Sequence, residues 1–122
     1  MKNVFDILKR DDAGLVAAII QHAETGQVLM LGYMNNETLQ ITLDKQKACF
    51  WSRSRQEIWL KGETSGNMLT VKEIRVDCDA DALILQCLPD GPTCHTNETS
   101  CFYRTVDAEG NMALAGDGVA SL

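Results

Sequence analysis

The sequence predicts a mainly β, α+β domain in which a largely antiparallel sheet carries one packed helix. Three observations carry that expectation. At 122 residues the chain has the length of a single domain, since one hydrophobic core usually serves ~100–200 residues. Short runs rich in β-branched and aromatic residues recur between clusters of turn formers along most of its length. Only one stretch opens with a helix cap and then spaces apolar residues at helical intervals.

Residues 15–34, LVAAIIQHAETGQVLMLGYM, hold two apolar runs of strand length around Ala23–Gln27. Glu24, Thr25 and Gly26 form turns, so a hairpin is expected there. His22 ends the first run and reads as a half-buried or surface strand histidine. Asn35 or Asn36 can cap a helix that runs to about Lys47, with Leu39, Leu43 and Ile41 on its apolar side. ACFWSRSR and EIWLKG read as strands, and LTVKEIRVD and ALILQCLP as two more. In LTVKEIRVD the apolar side switches from Leu69 and Val71 to Ile74 and Val76, which a bulge near Lys72–Glu73 explains. Residues 89–101, PDGPTCHTNETSC, form a polar loop, and CFYRTV reads as a last strand. The domain therefore spans 1–106, and the Gly- and Ala-rich residues 107–122 are expected to be a loose tail.

Composition excludes several classes. With 45% hydrophobic and 23% charged residues the chain is built to fold rather than to stay disordered. No apolar run approaches the ~20 residues of a membrane span, and MKNVFDILKRDD lacks a signal-peptide core. A net charge of −6 has the wrong sign for a general nucleic-acid binder. A cytoplasmic domain without nucleic-acid or membrane partners is expected. Five cysteines, an odd count with no export signal, point to reduced thiols that bind metal or catalyse. Cys78, Cys87, Cys94 and Cys101 are spaced C-x8-C-x6-C-x6-C, unlike the C-x2-C pairs of zinc ribbons.

Three constellations carry chemistry. Asp77, Asp79 and Asp81 share one side of an extended segment, or cluster at a hairpin tip if the chain turns at Asp79-Ala80. Either arrangement crowds three carboxylates, which a cation or bound protons must relieve, and hard oxygen ligands suit magnesium or calcium. A solvated acidic turn is the plain alternative. Cys94 and Cys101 flank a loop that also carries His95, and with Cys78 they make a three-thiolate zinc site with one position open, the mark of catalytic zinc. Adding Cys87 closes it into a structural site, although Leu85 and Leu88 beside Cys87 favour a core role, as Phe50-Trp51 do for Cys49. Arg53 and Arg55 lie two apart on one expected strand face and can fork onto phosphate oxygens. Lys61, Thr64, Ser65, Gly66 and Asn67 follow in a polar glycine loop able to hold an anion. A local basic site in an acidic protein favours a small phosphorylated ligand over a polymer.

The runs GYMNNETL, WSRSRQEIWLKGETSGN, VDCDAD and GPTCHTNETSCFY, in this order over roughly residues 15–105, resemble the phosphoribosyl-AMP cyclohydrolase family of histidine biosynthesis. The resemblance implies a barrel-like sheet capped by a helix, and a homodimer in which Cys78 reaches across the interface to complete a zinc site with Cys94 and Cys101. It assigns Asp77, Asp79 and Asp81 to magnesium. It implies hydrolysis of the adenine N1–C6 bond of phosphoribosyl-AMP by a zinc-activated water, giving the phosphoribosyl-formimino-AICAR ribotide. Three thiolates leave zinc a weakened Lewis acid, so a base gains value, and His95 is the candidate, ahead of Glu63 and Glu98. Arg53, Arg55, Lys61 and the Thr64–Asn67 loop are expected to hold the phosphates and riboses. Asn97 stands where the family usually has glycine, and asparagine tolerates the left-handed backbone such a position needs. The pyrophosphohydrolase domain that some members carry in fusion is expected to be absent. Two other readings stand beside this one: a non-catalytic binding module with a structural four-cysteine zinc site, and a metal-dependent nucleotide phosphohydrolase using the acidic cluster.

Overall fold

The computed structural model describes residues 1–113 and 117–122. A short helix α1 (Val4–Ile7), absent from the expectations above, opens the chain with Asn3 as its cap. Arg10 secures it by donating to the Phe5 and Leu8 carbonyls, each at 3.0 Å. Strands β1 (Val16–His22) and β2 (Val28–Met34) form the expected hairpin. Its turn places Gly26 at φ 79, and the His22 ring nitrogen Nδ1 accepts from the Glu24 and Thr25 amides. The histidine is thus spent on the turn.

Helix α2 (Asn36–Lys45) starts from a reciprocal cap, in which Asn35 accepts from the Thr38 amide and the Thr38 hydroxyl accepts from Asn35 N–H. It stops slightly before the expected Lys47, at Gln46, whose φ of 56 breaks the helical path. The buried face also differs from expectation. Thr38, Leu39 and Thr42 face inward, while Leu43 is exposed. The threonines tolerate burial because their hydroxyls have partners: Thr42 Oγ1 donates to the Thr38 carbonyl at 2.8 Å and accepts from the Cys49 amide at 3.0 Å.

Strands β3 (Cys49–Ser52) and β4 (Glu57–Leu60) make a separate antiparallel pair packed against β2 and α2. Strands β5 (Leu69–Val76) and β6 (Ala82–Pro89) complete a four-stranded sheet of order β2-β1-β6-β5. The β5–β6 register slips between Val71 and Glu73, at the site where the apolar pattern predicts a bulge. The sheet is largely antiparallel, but β1 pairs with β6 in parallel. The expected barrel is not closed. The hairpin packs on β2 without joining its ladder, and backbone hydrogen bonding to the main sheet is confined to its entry, at the Lys47–Thr70 bridge and the Ala48 amide on the Leu69 carbonyl at 3.0 Å.

The core gathers Ile20, Leu29, Met34, Leu39, Phe50, Leu69, Leu83 and Leu85. Phe50 lies flat on β2 because residue 32 is glycine: a Cβ there would sit 2.6 Å from its ring. The expected strand CFYRTV does not form among the described residues. Its start is pinned across β2 instead, with the Cys101 amide on the Leu29 carbonyl at 2.7 Å and the Ser100 hydroxyl on the Val28 carbonyl at 2.7 Å. Beyond it, Phe102 and Tyr103 are exposed and Val106 makes one isolated bridge to Met112. Part of the expected tail, residues 114–116, lies outside the described residues. Among the described residues no helix is long and apolar enough to cross a membrane.

Replacing Thr42 with valine strands the buried Cys49 amide without an acceptor. The expected loss is about 1–3 kcal/mol of unfolding free energy, read as a lower urea midpoint at unchanged slope.

Candidate metal and anion site

The functional side chains divide between the two ends of β6. At its start the chain turns from β5, and the turn decides between the two geometries open to Asp77-Cys78-Asp79-Ala80-Asp81. Ala80 takes φ 61 and its amide bonds back to the Asp77 carbonyl at 3.1 Å. The carboxylates therefore cluster at a hairpin tip, their ligand oxygens all within 4.8 Å of one another. Asp77 Oδ1 accepts from the Asp81 and Ala82 amides at 2.9 and 3.2 Å. The Asp81 carboxyl is raised, first by proton sharing with Asp77 and Asp79 and then by desolvation and their charge. Asp77 is lowered: desolvation opposes this, but the hydrogen bonds from Asp81 and the two amides outweigh it. None of the three pairs with a lysine or arginine among the described residues. Three exposed, unpaired carboxylates in contact are a donor set that fits a hard divalent cation. Cys78, in the same turn, is exposed.

At the far end, β6 runs into the loop of residues 89–101. Cys94 and Cys101 come together there, each thiol perturbing the other. The Thr96 hydroxyl donates to Cys94 Sγ at 3.0 Å, and this bond is the main cause that lowers the Cys94 thiol. Burial pushes Cys101 up, with the Cys94 charge adding to it. The Lys61 ammonium draws both down. Two adjacent thiols, one favoured as thiolate, fit part of a zinc site. Asn97 takes φ 70, the left-handed conformation expected of it, and lets the loop return so that the Cys94 amide reaches the Glu98 carbonyl at 3.1 Å. His95 is exposed beside Cys94, and among the described residues its ring has no hydrogen-bond partner. Glu63 and Glu98 are exposed too.

Cys78 is not brought to this pair. The eight residues of β6 separate the two ends by about 23 Å at ~3.3 Å per residue. Cys87 and Cys49 are fully buried core residues. Burial pushes the Cys87 thiol up to about 12, so it is not an available thiolate at neutral pH.

The glycine loop packs on the thiol loop. Gly62 (φ 85) would place a Cβ 2.4 Å from the Asn67 backbone, and a Cβ at Gly91 would lie 2.5 Å from Asn67 Oδ1. Asn67 thus wedges between the two loops. Arg55, Trp59, Lys61, Thr64 and Ser65 line a cavity of about 390 Å³ here. Gly66, at φ 82, closes the loop onto the Gly62 carbonyl at 2.8 Å. Lys61 is buried, 8% exposed, with its ammonium 5.3 Å from the Trp59 ring centre. One expectation fails: Arg53 and Arg55 do not share a strand face. β3 ends at Ser52, and both arginines belong to the turn 53–56, where Gln56 takes φ 53. Arg55 Nε lies 3.5 Å from Glu57, whereas the Arg53 guanidinium stacks on Tyr33 at 3.9 Å.

Tyr33, Trp59 and Thr96 are site residues that the sequence reading did not single out. Trp59 lies in β4 two residues before Lys61, which opens the turn after it, and Thr96 two residues after Cys94 is a side-chain turn position, so both carried a local signal. Tyr33 reaches Arg53 only through the packing of the hairpin on β2.

These features define a class first: a small, single-domain, mainly β enzyme whose donor groups suit metal ions and whose basic glycine loop suits an anion. Comparison then gives the particular family. Residues 30–103 match the family model described as phosphoribosyl-AMP cyclohydrolase. The phosphoribosyl-AMP cyclohydrolase of Chlorobium phaeovibrioides is 52% identical over 113 residues, 93% of this chain and 82% of the relative. That of Chloroherpeton thalassium is 54% identical over 112 residues, covering 92% and 79%. The chain belongs to the phosphoribosyl-AMP cyclohydrolase family.

Replacing Gly62 with alanine forces a Cβ into the Asn67 backbone and a side chain onto a left-handed φ. A loss of about 2 kcal/mol or more is expected in chemical denaturation.

Proposed function

We propose that this chain hydrolyses the N1–C6 bond of the adenine ring of phosphoribosyl-AMP, the ring-opening step of histidine biosynthesis, in the cytoplasm, where its cysteines stay reduced. The observation that carries the reading is the packing of the anion-binding glycine loop against the thiol loop through Asn67, within the span that matches the family. Cys94 and Cys101 of one copy, with Cys78 of a second, would hold zinc. The distance along β6 supports the two-copy arrangement, since one chain cannot bring the three thiols together. Zinc bound there supplies Lewis acidity, which makes a water acidic enough to ionise near neutral pH. Asp77, Asp79 and Asp81 would hold magnesium, which offsets phosphate charge.

The protein's own residues do the rest. Arg53, Arg55, Lys61 and the Thr64–Asn67 loop hold the two phosphates and riboses and set the ring against His95. N1 carries the second ribose phosphate, so the ring is cationic and C6 is electrophilic. Oxygen from water bonds to C6, the C6–N1 bond breaks, and its electron pair stays on N1. The His95 imidazole, exposed and without a hydrogen-bond partner among the described residues, takes one water proton and is placed to return it to the departing nitrogen, while the proton left on the C6 hydroxyl passes to solvent as the carboxamide carbonyl forms. Burial of Cys87 disfavours the structural four-cysteine module, and the glycine loop beside the thiols favours ring hydrolysis over a phosphohydrolase centred on the acidic turn.

Mixing the protein with phosphoribosyl-AMP, Zn²⁺ and Mg²⁺ should give the ultraviolet change of ring opening, abolished by chelator and without release of phosphate or pyrophosphate. No such change would overturn the assignment. His95→Ala should lower kcat by about 10²–10⁴ while zinc content per chain stays constant. Cys87→Ser should keep both metal and activity. Cys78→Ala and Cys94→Ala should each be inactive alone, yet a mixed dimer should recover about half the activity, because one of its two sites is intact.

A further inference from the structure

The β3–β4 turn sends its two arginines to different places. Arg55 lines the 390 Å³ cavity with Lys61, Thr64 and Ser65. Arg53 lines a second cavity of about 260 Å³ on the other side, with Tyr33, Trp51 and Ser54. Trp59 lines both. The turn itself is held by the Gln56 side-chain amide on the Arg53 carbonyl at 2.7 Å and the Arg55 amide on Ser52 Oγ at 3.3 Å, so this divergence is built into its backbone.

The two guanidinium groups also differ in what they have left to offer. Arg55 is engaged by Glu57. Among the described residues Arg53 makes no ion pair and no side-chain hydrogen bond, although the sequence holds seventeen acidic residues. Its guanidinium carbon lies 3.9 Å from the Tyr33 ring centre, and stacking of this kind occupies the face of the group. The five N–H donors lie in the plane and stay unspent, in the fork geometry that matches two oxygens of one phosphate. A planar cation braced by an aromatic face, without a counter-ion, beside a cavity, is preorganised for an incoming anion.

We propose that Arg53, held by Tyr33, forms a phosphomonoester subsite separate from the one lined by Arg55 and Lys61, with Trp59 between them. The two phosphates of one ligand are then read by different arginines, and Tyr33 is a positioning residue that acts through Arg53. This rests on the reading above that the site takes a doubly phosphorylated nucleotide, and it divides that ligand between two cavities.

Steady-state kinetics on phosphoribosyl-AMP with Arg53→Met, Arg55→Met, Tyr33→Leu and Tyr33→Phe test it. Arg53→Met should raise KM about tenfold or more with kcat within about threefold. Tyr33→Leu should raise KM about fivefold, and Tyr33→Phe, which keeps the ring face, should restore it to within about twofold of the parent. Arg53→Met combined with Tyr33→Leu should be no worse than Arg53→Met alone, while Arg53→Met combined with Arg55→Met should multiply the two effects. Binding of ribose 5-phosphate, followed by calorimetry, needs no turnover and should weaken in both arginine single variants, which separates this proposal from failure of the ring-opening assignment. A Tyr33→Leu protein with parental KM and a native circular dichroism spectrum would overturn it. So would an Arg53→Met, Arg55→Met double variant no weaker than either single. Should Tyr33→Leu fail to fold, the two arginine variants still decide whether the subsites are separate.

Discussion

The parallel ladder between β1 and β6, running from Ala17 opposite Ala82 to His22 opposite Cys87, is the constraint on which the other parts depend. It makes β6 a central strand, flanked by β1 and β5, and it buries Leu83, Leu85 and Cys87 on the core face. A parallel partner cannot be reached by a tight turn, so the chain between β1 and β6 must travel across the structure and back. That excursion is where β2, α2, the β3–β4 hairpin and β5 are accommodated. It also returns the chain to β6 from one end, through the acidic turn, and releases it at the other, into the thiol loop. The N-terminal segment reinforces the first junction, with the Lys9 amide on the Ala80 carbonyl at 2.7 Å.

Close approach, more than any single strong bond, assembles the anion end. Gly62 and Gly91 admit Asn67 from two sides, and the Asp90 amide on the Met68 carbonyl at 3.0 Å carries the pairing from β5 into the loops. Side chains at either glycine would pry the loops apart. Burial of Lys61 follows from the same packing. Its aliphatic stem is covered, while its charge is set over the Trp59 face and toward the thiols of Cys94 and Cys101. Within one chain the carboxylates of Asp77, Asp79 and Asp81 lie at the opposite end of β6 from this lysine, so the net charge of −6 is not concentrated at the anion loop.

What was legible in the sequence was local. The Ala23–Gln27 turn, the Asn35 cap and the slip near Lys72 each declare themselves within a few residues, through turn chemistry, capping and a switch of the apolar side. Cys87 among leucines was readable as core for the same reason. What failed depended on distant partners. CFYRTV has the alternation of a strand, but alternation cannot show whether an edge is free to pair, and here Ser100 and Cys101 are held across β2. Arg53 and Arg55 share a face only if the strand continues through them, and the chain turns after Ser52. Leu43 was expected inside by helical spacing, yet threonines with satisfied hydroxyls took the inward positions. The donor types at each site were visible in the motifs, whereas which donors meet was a property of the fold.

That last point bears on Cys78. The motif VDCDAD places a soft donor among three hard ones, and on one chain the turn leaves its thiol exposed and a strand's length from the other thiols. Metal preference separates the two kinds of donor as firmly as distance does: carboxylates suit a hard cation, thiolates a soft one. On the proposed reading, a thiol at the acidic tip that joins Cys94 and Cys101 would come from another copy. In a two-fold arrangement the contact is reciprocal, so each acidic tip lies beside the other copy's thiol loop. The step proposed to complete a thiolate site would then also bring the carboxylate cluster toward the thiol loop of the other copy. Separation along β6, a barrier within one chain, would then be the geometry by which two half-sites on one strand build a whole site between two copies.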